Sequence, residues 1–398
     1  MISKIVLRRS YRVLSQYDNA LPQSSHENQA VPKPGPHVTN FEFVNLQEDD
    51  SLVAVLDAAE RIGVDTEFMR EKTYFAELCL IQLSDSGRIY CADPLGASDL
   101  GSFWKSLMRC EWILHSGRQD MEVIYQASGL MPGRLFDTQI AAALLGYMPQ
   151  IGYAGLVAEL FDVELAKSHT RADWSRRPLS NEVLRYAAED VEHLLPAYDL
   201  LNERLEKLGR RDWVLEDSAD LLDRTLYDAE PHLAIERVKG ARSIHGVPRA
   251  IASGIAEWRE REALRRNRPR QWILRDTVVL EIAQAMPRSK QALHSISGLA
   301  DRTAARAGDE LLDVISTAMD NVTDYVPPTR PDEKQKDVLK KAQKTVADCA
   351  ADLGVSAEIV ASKKELSAAL SGVRDSRVFR GWRRELVGER LLDQFDRA

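Results

Sequence analysis

A chain of 398 residues with 44% apolar side chains is long enough for two or three domains with real cores. Its net charge of -8 excludes a uniformly basic nucleic-acid binder but leaves local patches open. The four cysteines, Cys79, Cys91, Cys110 and Cys349, form no CxxC pair, which argues against a zinc site or disulfide framework and for a reducing, cytoplasmic compartment; no apolar run approaches the length of a bilayer span.

Residues 1–37 are rich in Ser, Gln, Asn and Pro and read as a flexible extension. The first 17 carry Lys4, Arg8, Arg9 and Arg12 and no acid, so a disordered tail and an organelle-targeting peptide both fit. From 38 onward the pattern alternates. "FEFVNL" reads as a strand and "SLVAVLDAAERI" as an amphipathic helix. "GVDTEF", "ELCLIQLS" and "RIYCADP" read as three strands, with turns at Arg70–Thr73 and Asp85–Gly87. "LGSFWKSLMR" is a helix, "EWILHS" a short strand, "QDMEVIYQAS" a helix, and helices dominate to about 228. This order predicts a mixed sheet covered by helices. Beyond 228 the spacing is helical throughout, in "HLAIERVKG", "VPRAIASGIAEWREREALRRN", "RDTVVLEIAQAMP", "SKQALHSIS" and "LADRTAARAGDELLDVISTAMD". "YVPPTRPDEKQ" reads as a linker, followed by a second helical block from about 333 to 398, which can be a diverged copy of the first.

Asp65 and Glu67 lie one residue apart in a strand, so both project from one face of the sheet. Their apolar flanks put them near its middle, where free carboxylates are costly. Asp120 follows "HSGRQ" at the start of a helix. Tyr186 and Asp190 are four apart, on one face of a helix. Asp137 sits at another strand-to-helix junction. Singly, each has a plain structural reading: Asp120 and Asp137 as N-caps, Tyr186 as core packing, Asp190 as a solvated position. As a set they suit hard divalent cations, which take oxygen ligands and offset the repulsion among carboxylates. Four carboxylates can hold two ions roughly 3.5–4 Å apart, the arrangement that cleaves phosphodiesters.

Asp-x-Glu on a strand, an Asp after "HSGRQ" and Tyr-x-x-x-Asp on a late helix resemble the three exonuclease motifs of the DEDD superfamily. Tyr186 marks the tyrosine branch; the histidine branch places His five before the final Asp, where this chain has Arg185. "DTEFMREKTYFAELCLIQLS", "DTQIAAALLGY", "KSHTRADWSRRPL" and "YAAEDVEHLLP" extend the resemblance to the bacterial ribonuclease D family over about 38–210. The resemblance implies an α/β ribonuclease H-like exonuclease domain at 38–210, a mixed sheet flanked by helices, followed by two all-α helical bundles. It implies Asp65, Glu67, Asp120 and Asp190 as ligands of two Mg2+ or Mn2+ ions, Asp65 shared between them, with Tyr186 orienting the attacking water. The activity implied is 3′→5′ hydrolysis of RNA ends to nucleoside 5′-monophosphates, on structured RNAs such as tRNA precursors. Asp137 and His115 are expected to support the site rather than ligate, and Gln82 and Phe68 either line the terminal-nucleotide pocket or pack. Arg171 and Arg177, within a segment typical of the family, are candidate phosphate contacts.

Between 231 and 290 the chain has 13 Lys and Arg against 6 Asp and Glu. Its densest part, "EWREREALRRNRPRQWILRD", sets Arg261, Arg265, Arg266, Arg268 and Arg270 between Trp258 and Trp272. That suits an RNA backbone with stacked bases, or a solvated helix with internal charge pairs. The stretch resembles the HRDC domain shared by RecQ helicases and ribonuclease D, expected at 211–325, with a fainter likeness at 333–398. Arg265, Arg266 and Trp272 are the nucleic-acid candidates. The chain is expected to act as a monomer, with no membrane partner; the lack of a P-loop speaks against a nucleotide cofactor. Two alternatives stand beside this reading. A 3′→5′ DNA exonuclease shares the chemistry. An inert RNA-binding scaffold usually lacks a metal ligand, and here all four are present.

Overall fold

The computed structural model describes residues 40–165, 172–322 and 331–397. The N-terminal extension, Arg171 and most of the proline-rich linker therefore lie outside the described residues. Its last part, from Glu333, is not linker but the first turn of a helix, where Asp332 and Gln335 cap one another reciprocally.

Six strands make one mixed sheet: β1 (Phe41–Asn45), β2 (Arg61–Met69), β3 (Glu77–Asp85), β4 (Arg88–Asp93), β5 (Glu111–Leu114) and β6 (Arg134–Asp137), in the order β1-β4-β3-β2-β5-β6. β2, β3 and β4 form the antiparallel centre, and β1, β5 and β6 join in parallel at the flanks. The helix expected to run through Ile62 stops at Ala58, because Arg61–Gly63 pair with Glu111–Ile113 instead. β6 is the strand that the chain-order reading left among helices; at four residues it is too short to show a period, though Leu135 and Phe136 precede the Asp137 junction.

The helices are α1 (Ser51–Ala58), α2 (Gly101–Leu107), α3 (Arg118–Ser128), α4 (Thr138–Leu144), α5 (Tyr153–Phe161), α6 (Asn181–Glu192), α7 (Leu194–Lys207) and α8 (Arg211–Ala219). They cover the sheet on both sides. Met121, Val123 and Ile124 of α3 pack with Ile62, Val64, Ile81 and Leu83 on one face. Leu184, Ala187, Ala188 and Val191 of α6, at helical spacing, pack with Cys79, Leu80 and Cys91 on the other. Each fully buried aliphatic side chain there contributes about 1.5–3 kcal/mol. Close approach is built in at Gly63, where an added Cβ would stand 2.2 Å from Ser84 Oγ and 3.2 Å from Leu194.

Residues 211–228 belong to this body rather than to a helical module. Val214 joins the core cluster that includes α6, Tyr227 packs on the opposite face, and Ser218 Oγ accepts the Asp137 N–H at 3.1 Å. The first helical module has its own core, from Ala234 to Ile315, around the long helix Gly246–Arg266. The second block, by contrast, shares a core with the exonuclease helices: Ala342, Val346, Leu353, Trp382 and Leu391 lie in one cluster with α5, α6 and α7 residues. Trp382 stacks on Trp213 (4.5 Å, 8° between planes), and Arg383, 1% exposed, pairs with Asp217 at 2.8 Å. "FRGWRREL" thus braces the exonuclease body. The two helical parts repeat a plan. A 21-residue helix (Gly246–Arg266; Glu333–Leu353) ends in a left-handed residue, Asn267 or Gly354, followed by a four-residue helix and a longer one.

Candidate active site

The carboxylates come together from three segments. β2 carries Asp65 and Glu67 on the face covered by α6, opposite Gln82 and Leu80 of β3. Pairing between β2 and β5 ends at Gly63, so beyond it one side of β2 is open. Into that opening comes Asp120, from the first turn of α3 on the other face of the sheet. Thr66 Oγ1 donates to Asp120 Oδ1 at 2.6 Å. Sequence reasoning missed Thr66: strand alternation points it away from Asp65 and Glu67, and only the placement of α3 makes it a partner. Tyr186 and Asp190 descend from α6, one turn apart.

Burial and neighbouring charge push all four carboxylates in the same direction. Asp65 is pushed well above the carboxylate range, first by burial, then by the charges of Asp120, Asp190 and Glu67. Burial, with Asp190 and Asp120, raises Glu67 to about 8. Burial, with Glu189 and Asp120, raises Asp190 to about 7. Burial raises Asp120 to about 6, against the Thr66 hydrogen bond that favours its charged form. The Tyr186 hydroxyl is also pushed up, by burial and then by Asp190, Glu67 and Asp65. Burial disfavours ionisation of all four carboxylates, and Asp120 and Asp190 add to it at Asp65 and Glu67, so divalent cations are the charge that would offset it. The all-oxygen donor set fits Mg2+ or Mn2+ rather than zinc. Among the described residues no three acidic, His or Cys side chains already stand close enough to enclose an ion.

The supporting residues are structural. The Asp137 carboxylate accepts the N–H groups of Ser116 (3.1 Å), Gly117 (2.9 Å), Gln139 (2.8 Å) and Ile140 (3.3 Å). It caps α4 and at the same time fixes the turn that launches α3 and Asp120. His115 bonds Thr138 Oγ1 through Nδ1 and the Ile151 carbonyl through Nε2, both at 2.9 Å. A carbonyl only accepts, so Nε2 carries the proton. Burial holds its pKa below the usual histidine value. Phe68 packs against the core on the α3 face. Gln82 is wholly buried, with its amide atoms unpartnered.

Arg177 is a clamp. Nε and Nη2 bond the Asp93 carboxylate at 2.5 and 2.7 Å, Nη2 also bonds the Cys79 carbonyl, and Nη1 bonds the carbonyls of Trp174 and Arg176. Every N–H of its guanidinium is engaged inside the protein, leaving none for a phosphate. The clamp seats Trp174, buried with its ring 6.4 Å from that of Tyr186.

In the first helical module the basic run is largely paired. Arg261 bonds Glu257, Arg265 bonds both oxygens of Glu262 at 2.8 Å, and Arg266 also pairs with Glu262. Trp258 donates to Glu310. Trp272 alone of the three nucleic-acid candidates there remains uncommitted and open, 61% exposed beside Gln271 and Arg275.

Comparison with known proteins identifies the family. The 3′-5′ exonuclease family model matches residues 43–206, and the HRDC domain model matches 249–315. Ribonuclease D of Pseudomonas paraeruginosa is 35% identical over 350 residues, 85% of this chain and 92% of that protein. Ribonuclease D of Gluconacetobacter diazotrophicus is 37% identical over 367 residues, 88% of this chain and 92% of that protein. Among solved structures, Escherichia coli RNase D, described as an exoribonuclease involved in structured RNA processing, superposes with a TM-score of 0.79 at 29% identity, covering 90% of this chain and 99% of that one. With curated relatives 35% and 37% identical over 85% and 88% of its length, the chain belongs to the ribonuclease D family.

Proposed function

We propose that this 3′→5′ exoribonuclease trims structured RNAs, tRNA precursors among them, at their 3′ ends, and that Asp65, Glu67, Asp120 and Asp190 hold two divalent cations, Mg2+ or Mn2+. Such a pair supplies charge neutralisation at the attacking and leaving oxygens and acidifies the water that attacks. Asp65, buried among the other three carboxylates, would be the ligand shared by the two ions. Glu67 and Asp190 would serve the ion that activates the water, and Asp120 the ion near the leaving oxygen. Tyr186, its hydroxyl kept protonated, orients the water as a hydrogen-bond partner and does not serve as the base. What supports this reading is the convergence of four buried or largely buried carboxylates from three separate segments, with Asp120 brought beside β2 by the Thr66 hydrogen bond.

The first helical module offers Trp272 as a stacking surface for RNA. The same reading makes the protein a cytoplasmic monomer: its four cysteines are free and buried, and among the described residues no helix is long and apolar enough to cross a membrane. It divides the chain into an exonuclease body, an HRDC-type module and a second helical block that braces the body.

Product analysis on 5′-labelled RNA and DNA, with and without Mg2+ or Mn2+, tests it. The expected result is a ladder from the 3′ end and nucleoside 5′-monophosphates, on RNA and only with cation. Preference for DNA would move the substrate to the alternative class, and binding without cleavage would make the chain a scaffold.

A further inference from the structure

The end of β2 that carries Glu67 is held by the sheet on one side only. β5 pairs only as far as Gly63, so Glu67 has a neighbour on one side only, and on that side the register with β3 shifts between Glu67 and Phe68. A bulge bends the strand and re-aims its side chains, so whatever fixes the chain just beyond it bears on where Glu67 points. The connection from β2 to β3, residues 70–76, is anchored from outside the sheet. At its start Arg70 pairs with Glu122 of α3 at 2.6 Å, the helix that bears Asp120. At its tip it is gripped by the first helical module. Asn267 Oδ1 accepts the N–H groups of both Tyr74 and Phe75 at 3.0 Å. The Tyr74 hydroxyl donates to Glu260 Oε1 at 2.6 Å, the Arg270 guanidinium lies 5.7 Å from the Tyr74 ring centre, and Arg268 Nη1 bonds the Lys72 carbonyl at 3.3 Å.

The grip is built, not incidental. Glu260 is wholly buried and is also bonded by Arg237 at 3.1 Å. Asn267 ends the long helix in a left-handed conformation, φ 46°, which aims its side chain at the loop. Gly354, at the corresponding place in the second block, also meets the exonuclease body, with its carbonyl against Gly146, while the Leu353 carbonyl accepts Arg210 Nη2 at 2.7 Å. Both helical parts therefore dock through the same corner.

We propose that Asn267 and Glu260 are positioning residues for the active site: through the Tyr74–Phe75 backbone and the Tyr74 hydroxyl they fix the hairpin that aims Glu67, so the first helical module takes part in turnover even on a substrate too short to reach it. The proposal rests on Glu67 being a ligand of the site.

The test uses full-length protein and an RNA dinucleotide. Asn267→Gly keeps the left-handed turn and removes the acceptor; Asn267→Asp keeps an acceptor. For Asn267→Gly, kcat on the dinucleotide should fall on the order of ten- to a hundred-fold with KM little changed, because small misplacements of a catalytic group cost that much. Amide hydrogen exchange across residues 67–77 of the cation-free protein should rise. Asn267→Asp should restore both. Tyr74→Phe, which loses one hydroxyl bond, should show a smaller loss of the same kind. Three results would overturn the proposal: unchanged kcat on the dinucleotide despite faster exchange, unchanged exchange, or a loss confined to long RNA, which would make this corner an RNA contact. Glu67→Gln serves as the separate control: if it retained activity, the ligand reading would fail whatever Asn267 did.

Discussion

Asp137 holds the backbone of Gly117 at 2.9 Å, twenty residues back along the chain, and so places the first turn of α3 and with it Asp120. Removing the carboxylate in Asp137→Ala strands several backbone N–H groups and deletes the α4 cap. We expect a loss of roughly 2–4 kcal/mol in stability and a lower kcat, with Asp137→Asn milder. Denaturant titration beside steady-state kinetics checks this; full activity and stability in the Ala variant would show that the turn holds without it.

The raised carboxylates predict an unusual pH dependence. Glu67, Asp190 and Asp120 have folded values near 8, 7 and 6, above the roughly 4 of an unfolded carboxylate. Between those limits the folded protein binds more protons than the unfolded one, so stability is full below about pH 4 and is lost as pH rises through the folded values. In chelator the site's contribution to Tm should therefore fall from pH 5 to 8, and Glu67→Gln should flatten the slope. Added Mn2+ should raise Tm more at pH 8 than at pH 6. A wild-type slope equal to that of Glu67→Gln would count against the assignment.

Tyr186→Phe separates orientation from ligation. Its hydroxyl stays protonated, so its loss should lower kcat by one to two orders of magnitude, in the range typical of a lost positioning contact. Cation affinity measured by titration should be unchanged. Weaker cation binding would give Tyr186 a different role.

Trp272→Ala probes the outer RNA contact. Stacking of one base contributes about 1–3 kcal/mol, so KM on long RNA should rise roughly five- to a hundredfold with no change on a dinucleotide. Charge reversal of Arg265 or Arg266 is a poorer probe, since both side chains are tied to Glu262. Equal KM values for wild type and Trp272→Ala on long RNA would exclude the stacking role.

Much of the site was legible because its chemistry is local. Asp65 and Glu67 share a strand face and Tyr186 and Asp190 a helix turn, so period alone brings each pair together. The strand runs over β2, β3 and β4 were readable from their apolar alternation and turn residues. Most of what the sequence could not show depended on distant partners. Thr66 faces away from its neighbours and meets Asp120 only because α3 crosses at the end of β5. Arg177 looked like a phosphate contact because nothing nearby in sequence reveals Asp93, 84 residues away. Arg265 and Arg266 lie in a basic run, yet their acid, Glu262, is on the same helix at helical spacing, a pairing the net count hides.

The central claim is that Asp65 joins the other three carboxylates in holding a pair of cations. Calorimetric titration of Mn2+ into the full-length protein and into Asp65→Asn tests it most directly. We predict two Mn2+ per wild-type chain, at least one of them lost in the variant, alongside a drop in turnover of several orders of magnitude. Equal binding by both proteins, or none by the wild type, would contradict it.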